Sequence, residues 1–485
     1  MKKSKDRGEN MRRSGVLMAI SSLPSGYSIG NFGVEAYRFV DRLAEGGFGI
    51  WQILPLSPID ECHSPYKSTS AYAIEPYYLD LEDLYRRLLI SVDELESSRE
   101  KDEYLCEYER LEMERWALLK KASARVVDRS EYLSKISTMP KLYEYCRYMA
   151  LKEVNDGKPW YEWTIGETTD EMTWPYIFVQ VTLYNQWKSL KSYANSKGVS
   201  IIGDMPIYVS HDSADVWANR EYFQLDKRGM PTAVAGVPPD YFCQDGQLWG
   251  NPLYDWGKMK KDGYAWWRDR LSHALSLYDG VRIDHFRAFS EYWSVPSSAT
   301  TAKEGRWRRG PGKSFVDAVA DVTRDRLVIA EDLGDIDDKV VKLLDYSNYP
   351  GMRVWQFGFL SKGDSIHRPH NYKENCVVYT GTHDNNTLLG YVWEMDSGMR
   401  DYMLSYLGYT DANWDRCYDT IIKVLYMSRA ETVILPIQDV LGYGADTRIN
   451  IPGQAKGNWR YRATKHQIEG IDMDKFNTFG KTYNR

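Results

Sequence analysis

The sequence is short of cysteine, of long apolar runs and of any surplus of charge. Six cysteines (Cys62, Cys106, Cys146, Cys243, Cys376 and Cys417) are scattered over 485 residues with no C-x-x-C pair among them. That spacing excludes a disulfide frame and a thiolate zinc site, and it predicts reduced thiols in a cytoplasmic protein. Lysine and arginine number 62 against 68 aspartates and glutamates, a net charge of −6. Without a basic surplus or a run of like charge, nucleic acid is not an expected partner. The N-terminal "MKKSKDRGENMRR" is basic and is followed by the apolar "GVLMAI", but that run is too short for a signal segment and no small-residue cleavage pattern follows. No other apolar run approaches a bilayer span, so no membrane association is expected. There is no internal repeat and no low-complexity linker. A glycine-rich phosphate loop at a helix start is also lacking, which argues against phosphorylated substrates.

What is present is enough apolar side chain, 43%, for one large domain with insertions or for two to three domains. Tyrosine and tryptophan are abundant, 37 and 17 against 13 phenylalanines. Each joins a flat apolar face to a polar handle. Most must pack in the core; the remainder suit a ligand with apolar faces and polar edges, as sugar rings have.

Short apolar runs bounded by turn signals predict strands at 15–20, 50–56, 199–209, 280–286, 326–334, 352–359, 376–384 and 431–440. Several are apolar almost throughout, as strands covered on both faces are. Segments with helical spacing, such as "VEAYRFVDRLAEGG" and "DDKVVKLLDYS", lie between many of them. Eight strands alternating with helices predict an α/β fold, a (β/α)8 TIM barrel spanning residues 1–485 as one catalytic domain. Residues 60–198, rich in Leu, Glu, Arg and Tyr at helical spacing, predict a large helical insertion after strand 2. Residues 210–278 predict a second insertion bordering the active site. Within it "GVPPDYFCQDGQLWGNPLYDW" (236–256) reads as a long aromatic loop at the C-terminal face.

Acidic side chains recur where these apolar runs end: Asp204, Asp284, Glu331 with Asp332, and Asp384 after His383. In a barrel, strand C-termini share one mouth. Two or three carboxylates around one pocket suit glycoside chemistry, in which one attacks the anomeric carbon and another holds a proton for the leaving oxygen. Arg282 stands two residues before Asp284, hence on the same strand face, where a cation favours the ionised acid. Val281 and Ile283 would then pack outward. His285 and Arg287 are on the opposite parity and would reach the pocket only if the strand ends there and the chain turns. A half-exposed strand, alternating in and out, is the other reading of "VRIDHFRAF".

"GVRIDHFRAF", "IAEDLG" and "GTHDNNT" resemble, in order, three short regions of the α-amylase clan. "IIGDMPIYVSHDSADVWAN" resembles the version of the clan's first region found in the family named next. "SSLPSGYSIGNFG", "WQILPLSP", "SPYKSTSAYAIEPYYLDL", "GVPPDYFCQDGQLWGNPLYDW" and "RINIPGQAKGNWRYR" resemble stretches of one family within it, the 4-α-glucanotransferases (amylomaltase or disproportionating enzyme, glycoside hydrolase family 77). The resemblance implies Asp284 as nucleophile, Glu331 as general acid and base, and Asp384 as the third acid, gripping ring hydroxyls. It implies Arg282 and His383 as their supports. Asp204 and Asn450 would contact the donor glucose, Tyr66 would stack beneath it, and Trp249, Asn251 and Tyr241 would line the acceptor side. Packing or capping remains the other reading of His383, Tyr66, Trp249 and Tyr241; His63 stays unassigned and Asp332 reads as a structural partner. The implied reaction needs no cofactor and no metal, and its partners are neutral maltooligosaccharides and α-1,4-glucans. A hydrolase on the same barrel and a glucan-binding protein without catalysis are the rival functions. Oligomeric state is left open.

Overall fold

The computed structural model describes residues 12–239, 244–409, 417–454 and 456–485. Its centre is a closed, all-parallel barrel of eight strands, all eight of them predicted: β1 Arg13–Leu17, β2 Ile50–Gln52, β3 Ser200–Met205, β4 Gly280–Ile283, β5 Leu327–Ala330, β6 Gly351–Val354, β7 Cys376–Tyr379 and β8 Thr432–Pro436. Each strand pairs with the next in sequence, and β8 closes on β1 with Arg13 opposite Thr432 and Leu17 opposite Pro436.

Alternation along the strands separates two apolar layers. Ile50, Ile202, Ile329, Met352, Val377 and Ile434 fill the barrel interior. Their neighbours Trp51, Ile201, Val328, Val378 and Val433 face the surrounding helices. Val281 and Ile283 belong to the outer layer, so Arg282 points inward, as the strand period requires. The same period carries Ile202 to Asp204 and Ile329 to Glu331, which places both acids at the inner rim.

β5 and β6 meet at a single register pair, Gly351 with Ala330. The Asp332 carboxylate fills the gap, accepting the Met352 N–H at 2.6 Å and an Arg353 Nη1–H at 2.9 Å. A Cβ on Gly351 would lie 2.5 Å from that carboxylate, so only glycine fits. Asp332 thus replaces ladder bonds between two strands.

The helix Val34–Glu45 buries Ala36, Phe39, Val40 and Leu43, three to four residues apart, and gives way at Gly46–Gly47, where Gly47 takes φ +72°. Between β2 and β3 run six α-helices, from Leu81–Arg86 to Asp170–Ser196. The last is started by the Thr169 side chain, which accepts the Met172 N–H, and it packs on the 34–45 helix and on β3. Among the described residues no helix is long and apolar enough to cross a membrane.

One expectation needs correction. Residues 236–256 are not one long loop: Ala233–Val237 and Gln247–Pro252 are antiparallel strands. With Glu291–Pro296 and Arg306–Arg309 they form a four-stranded sheet beside the barrel mouth. Its glycines, prolines and short strands hide the alternation that a longer half-buried strand shows. Cross-strand packing holds it instead, as where Trp293 stands opposite Trp307 with ring centroids 5.1 Å apart. Tyr241 lies outside the described residues.

Candidate active site

The C-terminal ends of β3, β4 and β5 bring three acids and one arginine together. Arg282, 4% exposed, donates to Asp204 Oδ2 at 2.6 Å and to Asp284 Oδ1 at 2.7 Å. Burial works against its charge, but the two carboxylates outweigh burial and hold the guanidinium firmly protonated. Asp204 is wholly buried, and burial raises its pKa against the pull of Arg282. The Asp284 carboxylate is 30% exposed and faces the cleft.

The strand ends at Ile283, and His285 turns into the left-handed region with φ 51°. This turn aims the His285 N–H at Glu331 Oε2, 2.7 Å away, while Glu331 Oε1 accepts the Leu333 N–H at 2.7 Å. The carboxyl of Glu331 is therefore fixed by main chain on both oxygens, next to the residue that follows Asp284. Burial, then the charge of Asp284, pushes Glu331 up to about 8, against Arg282 and the two N–H donors. One acid of the pair rests on a cation and is open to the cleft. The other is buried and keeps its proton at neutral pH.

Across the mouth, Asp384 follows β7 and is 47% exposed. Its Oδ2 lies 3.4 Å from His383 Nε2, and its Oδ1 accepts an Asn450 amide hydrogen at 2.6 Å. Tyr66 stacks on His383, with centroids 5.0 Å apart and planes 16° apart, and its hydroxyl donates to Asp204 Oδ2 at 2.7 Å. Burial first, then Asp204, keeps that phenol protonated and donating.

These groups surround a cleft of about 350 Å³, lined among others by Tyr66, Trp249, Asn251, Asp284, His383, Asp384 and Asn450. Arg282, Asp204 and Glu331 stand behind that lining, each bonded to it or to the turn beside it. Asp204 Oδ2 accepts from both Tyr66 and Arg282. Trp249 stands on the strand Gln247–Pro252 and meets the His285 ring edge-on at 4.9 Å. Burial lowers that imidazole to about 4, so it is neutral. The Asn251 amide donates to the Val209 carbonyl at 3.0 Å, which fixes the strand against the segment after β3.

His285 meets the condition its parity sets: the strand ends at Ile283 and the chain turns, which brings its N–H to Glu331. One site member was missed. Trp459, within "RINIPGQAKGNWRYR", lines the cleft with its ring 5.9 Å from Tyr66 and 6.0 Å from His383. It also has a left-handed backbone, φ 66°.

Comparison with known proteins points to one family. The family model described as 4-alpha-glucanotransferase matches residues 18–467. The 4-alpha-glucanotransferase of Streptococcus pneumoniae serotype 4 is 40% identical over 479 residues, covering 94% of each chain. The chloroplastic/amyloplastic 4-alpha-glucanotransferase of Arabidopsis thaliana is 40% identical over 94% of this chain and 82% of its own. Among solved structures, an amylomaltase from Streptococcus agalactiae in complex with acarbose superposes with a TM-score of 0.93 at 37% identity, over 98% of this chain and 99% of that one. The chain belongs to the 4-alpha-glucanotransferase family, glycoside hydrolase family 77.

Proposed function

We propose that this chain is a retaining 4-α-glucanotransferase, which moves α-1,4-glucan segments from a donor maltooligosaccharide to the 4-hydroxyl of an acceptor glucan or glucose. One observation carries the residue roles: a cation-paired, cleft-facing Asp284 lies beside a buried Glu331 held near 8. A cleft-facing carboxyl beside one that keeps its proton is what a double displacement needs.

In the first step an Asp284 oxygen attacks C1 of the donor glucosyl unit. The C1–O4 bond breaks, and the Glu331 proton goes to the departing O4. Arg282 donates to Asp284 Oδ1 and aims it. Asp384, set by Asn450 and His383, grips ring hydroxyls as the sugar flattens toward an oxocarbenium-like state. Tyr66 lies beneath that ring, its hydroxyl anchored on Asp204. In the second step the acceptor 4-hydroxyl attacks C1, the bond to Asp284 breaks, and the hydroxyl proton returns to Glu331. Two inversions give net retention.

Water in place of the acceptor gives hydrolysis. The strand Gln247–Pro252, with Trp249 and Asn251, supplies a wall on which an acceptor sugar rests. We read residues 60–198 as a helical insertion and 210–278 as the insertion that carries this wall. The buried, unbridged thiols of Cys106, Cys146 and Cys376 suit a cytoplasmic enzyme. Maltotriose alone tests the function: a ladder of longer and shorter maltooligosaccharides with glucose is the expected product, and glucose with maltose and nothing longer overturns it.

A further inference from the structure

The Asp384–Asn450 pair joins two segments far apart in sequence, the turn after β7 and the stretch after β8. One side chain bonds the main chain of both. Arg448 Nη2 donates to the Asp384 carbonyl at 2.7 Å, and Arg448 Nε donates to the Asn450 carbonyl at 2.7 Å. Neither bond engages the carboxylate or the amide that meet each other at 2.6 Å. The guanidinium sets the spacing of the two backbones instead. The residue between, Ile449, is anchored in the barrel interior, and its carbonyl accepts the Trp459 N–H at 2.6 Å.

We propose that Arg448 is a positioning residue for the transfer reaction: it fixes the Asp384–Asn450 pair in the geometry that grips the distorted sugar. This rests on the role given to Asp384 above. A planar fork with donors at fixed angles spans two carbonyls at once; a lysine ammonium is a point donor on a flexible stem and cannot hold both in one orientation. Its charge also lies near the half-exposed Asp384 without sharing its oxygens, which leaves the carboxylate free for ring hydroxyls. Asp384 is pressed into use more in the transition state than on binding, so loose positioning lowers turnover more than it weakens substrate binding.

The test is steady-state kinetics of maltotriose disproportionation for Arg448→Met, Arg448→Lys and Arg448→Ala, with Asp384→Asn alongside. Arg448→Met is expected to lower kcat on the order of 10–100-fold, as misplacement by an ångström does, with KM within about twofold. Arg448→Lys recovers part of that loss. Millimolar guanidinium chloride restores activity to Arg448→Ala but not to Asp384→Asn, a response that a merely structural arginine would not give. Unchanged kcat in Arg448→Met, or a loss seen only as a raised KM or as a smaller folded fraction, overturns the proposal. If Asp384→Asn itself retains kcat, the role of Asp384 fails, whatever Arg448 does.

Discussion

The two sides of the cleft hold their carboxylates by different means. On the β4–β5 side, Asp284, Arg282, Asp204 and Glu331 come from strand ends and are tied by bonds of 2.6–2.7 Å, and all but Asp284 are buried. On the β7 side, Asp384 comes after its strand has ended, is half exposed, and is steadied by Asn450 from the far end of the chain. Burial is how a protein moves acidity constants, so the first side is where ionisation is set. An exposed carboxylate with water as alternative partner is suited to exchanging hydrogen bonds with a sugar. The difference teaches that the cleft has a side that makes charge and a side that makes grip.

The largest effects are expected on the charge-making side. Asp284→Asn removes the nucleophile and should lower transfer on the order of 10⁴-fold or more, measured as maltotriose consumption. Glu331→Gln should cost about 10³-fold, and should be largely rescued in the first step by α-glucosyl fluoride, whose leaving group needs no proton. Equal loss with both donors would remove Glu331 as the acid. Arg282→Met leaves Asp204 buried beside a missing partner. It should cost about 3–5 kcal/mol of stability in denaturant unfolding, besides activity. A change below about 1 kcal/mol would mean that Asp204 is not charged there.

The pH profile tests the same side more gently. The first step needs Glu331 protonated, so kcat/KM should fall as pH rises through about 8. Removing the Asp284 charge removes a cause of that elevation, so in Asp284→Asn the Glu331 proton should be lost at lower pH, read by carboxyl NMR. Linkage has the matching sign. Native Glu331 keeps its proton between its ordinary 4.5 and about 8, where the unfolded chain releases it, so this group makes stability decline across that window.

Parity made one side legible and not the other. Val281 and Ile283 announce an outward face, so Arg282 and Asp284 had to point in, and Ile329 does the same for Glu331. All eight barrel strands were readable because buried parallel strands are apolar throughout. His285 was readable only as a condition, because its N–H reaches Glu331 through a left-handed turn that no residue type demands. The flanking sheet was missed because "AVAGV" and "QLWGNP" lack an alternating apolar face. Asn450, Arg448 and Trp459 were visible only as part of a family stretch. What brings them to Asp384 is barrel closure, which is a property of the whole chain.

The smallest effect belongs to the gripping side and decides whether the contrast is real. Asn450→Ala deletes a bond to Asp384 of 2.6 Å, as short as the one between Arg282 and Asp204. Length alone would make the two losses alike. Exposure makes them unlike, because a carboxylate at 47% is rehydrated when its partner leaves, whereas Asp204 at 0% is not. A hydrogen bond to a charged group is worth about 1.5–3 kcal/mol; with water able to substitute, about 1 kcal/mol or less remains. Asn450→Ala should therefore lower kcat no more than about fivefold, with unfolding shifted by no more than about 1 kcal/mol. A loss as large as that of Arg282→Met would mean that Asn450 holds Asp384 against burial rather than against water, and the two sides of the cleft would then be built alike.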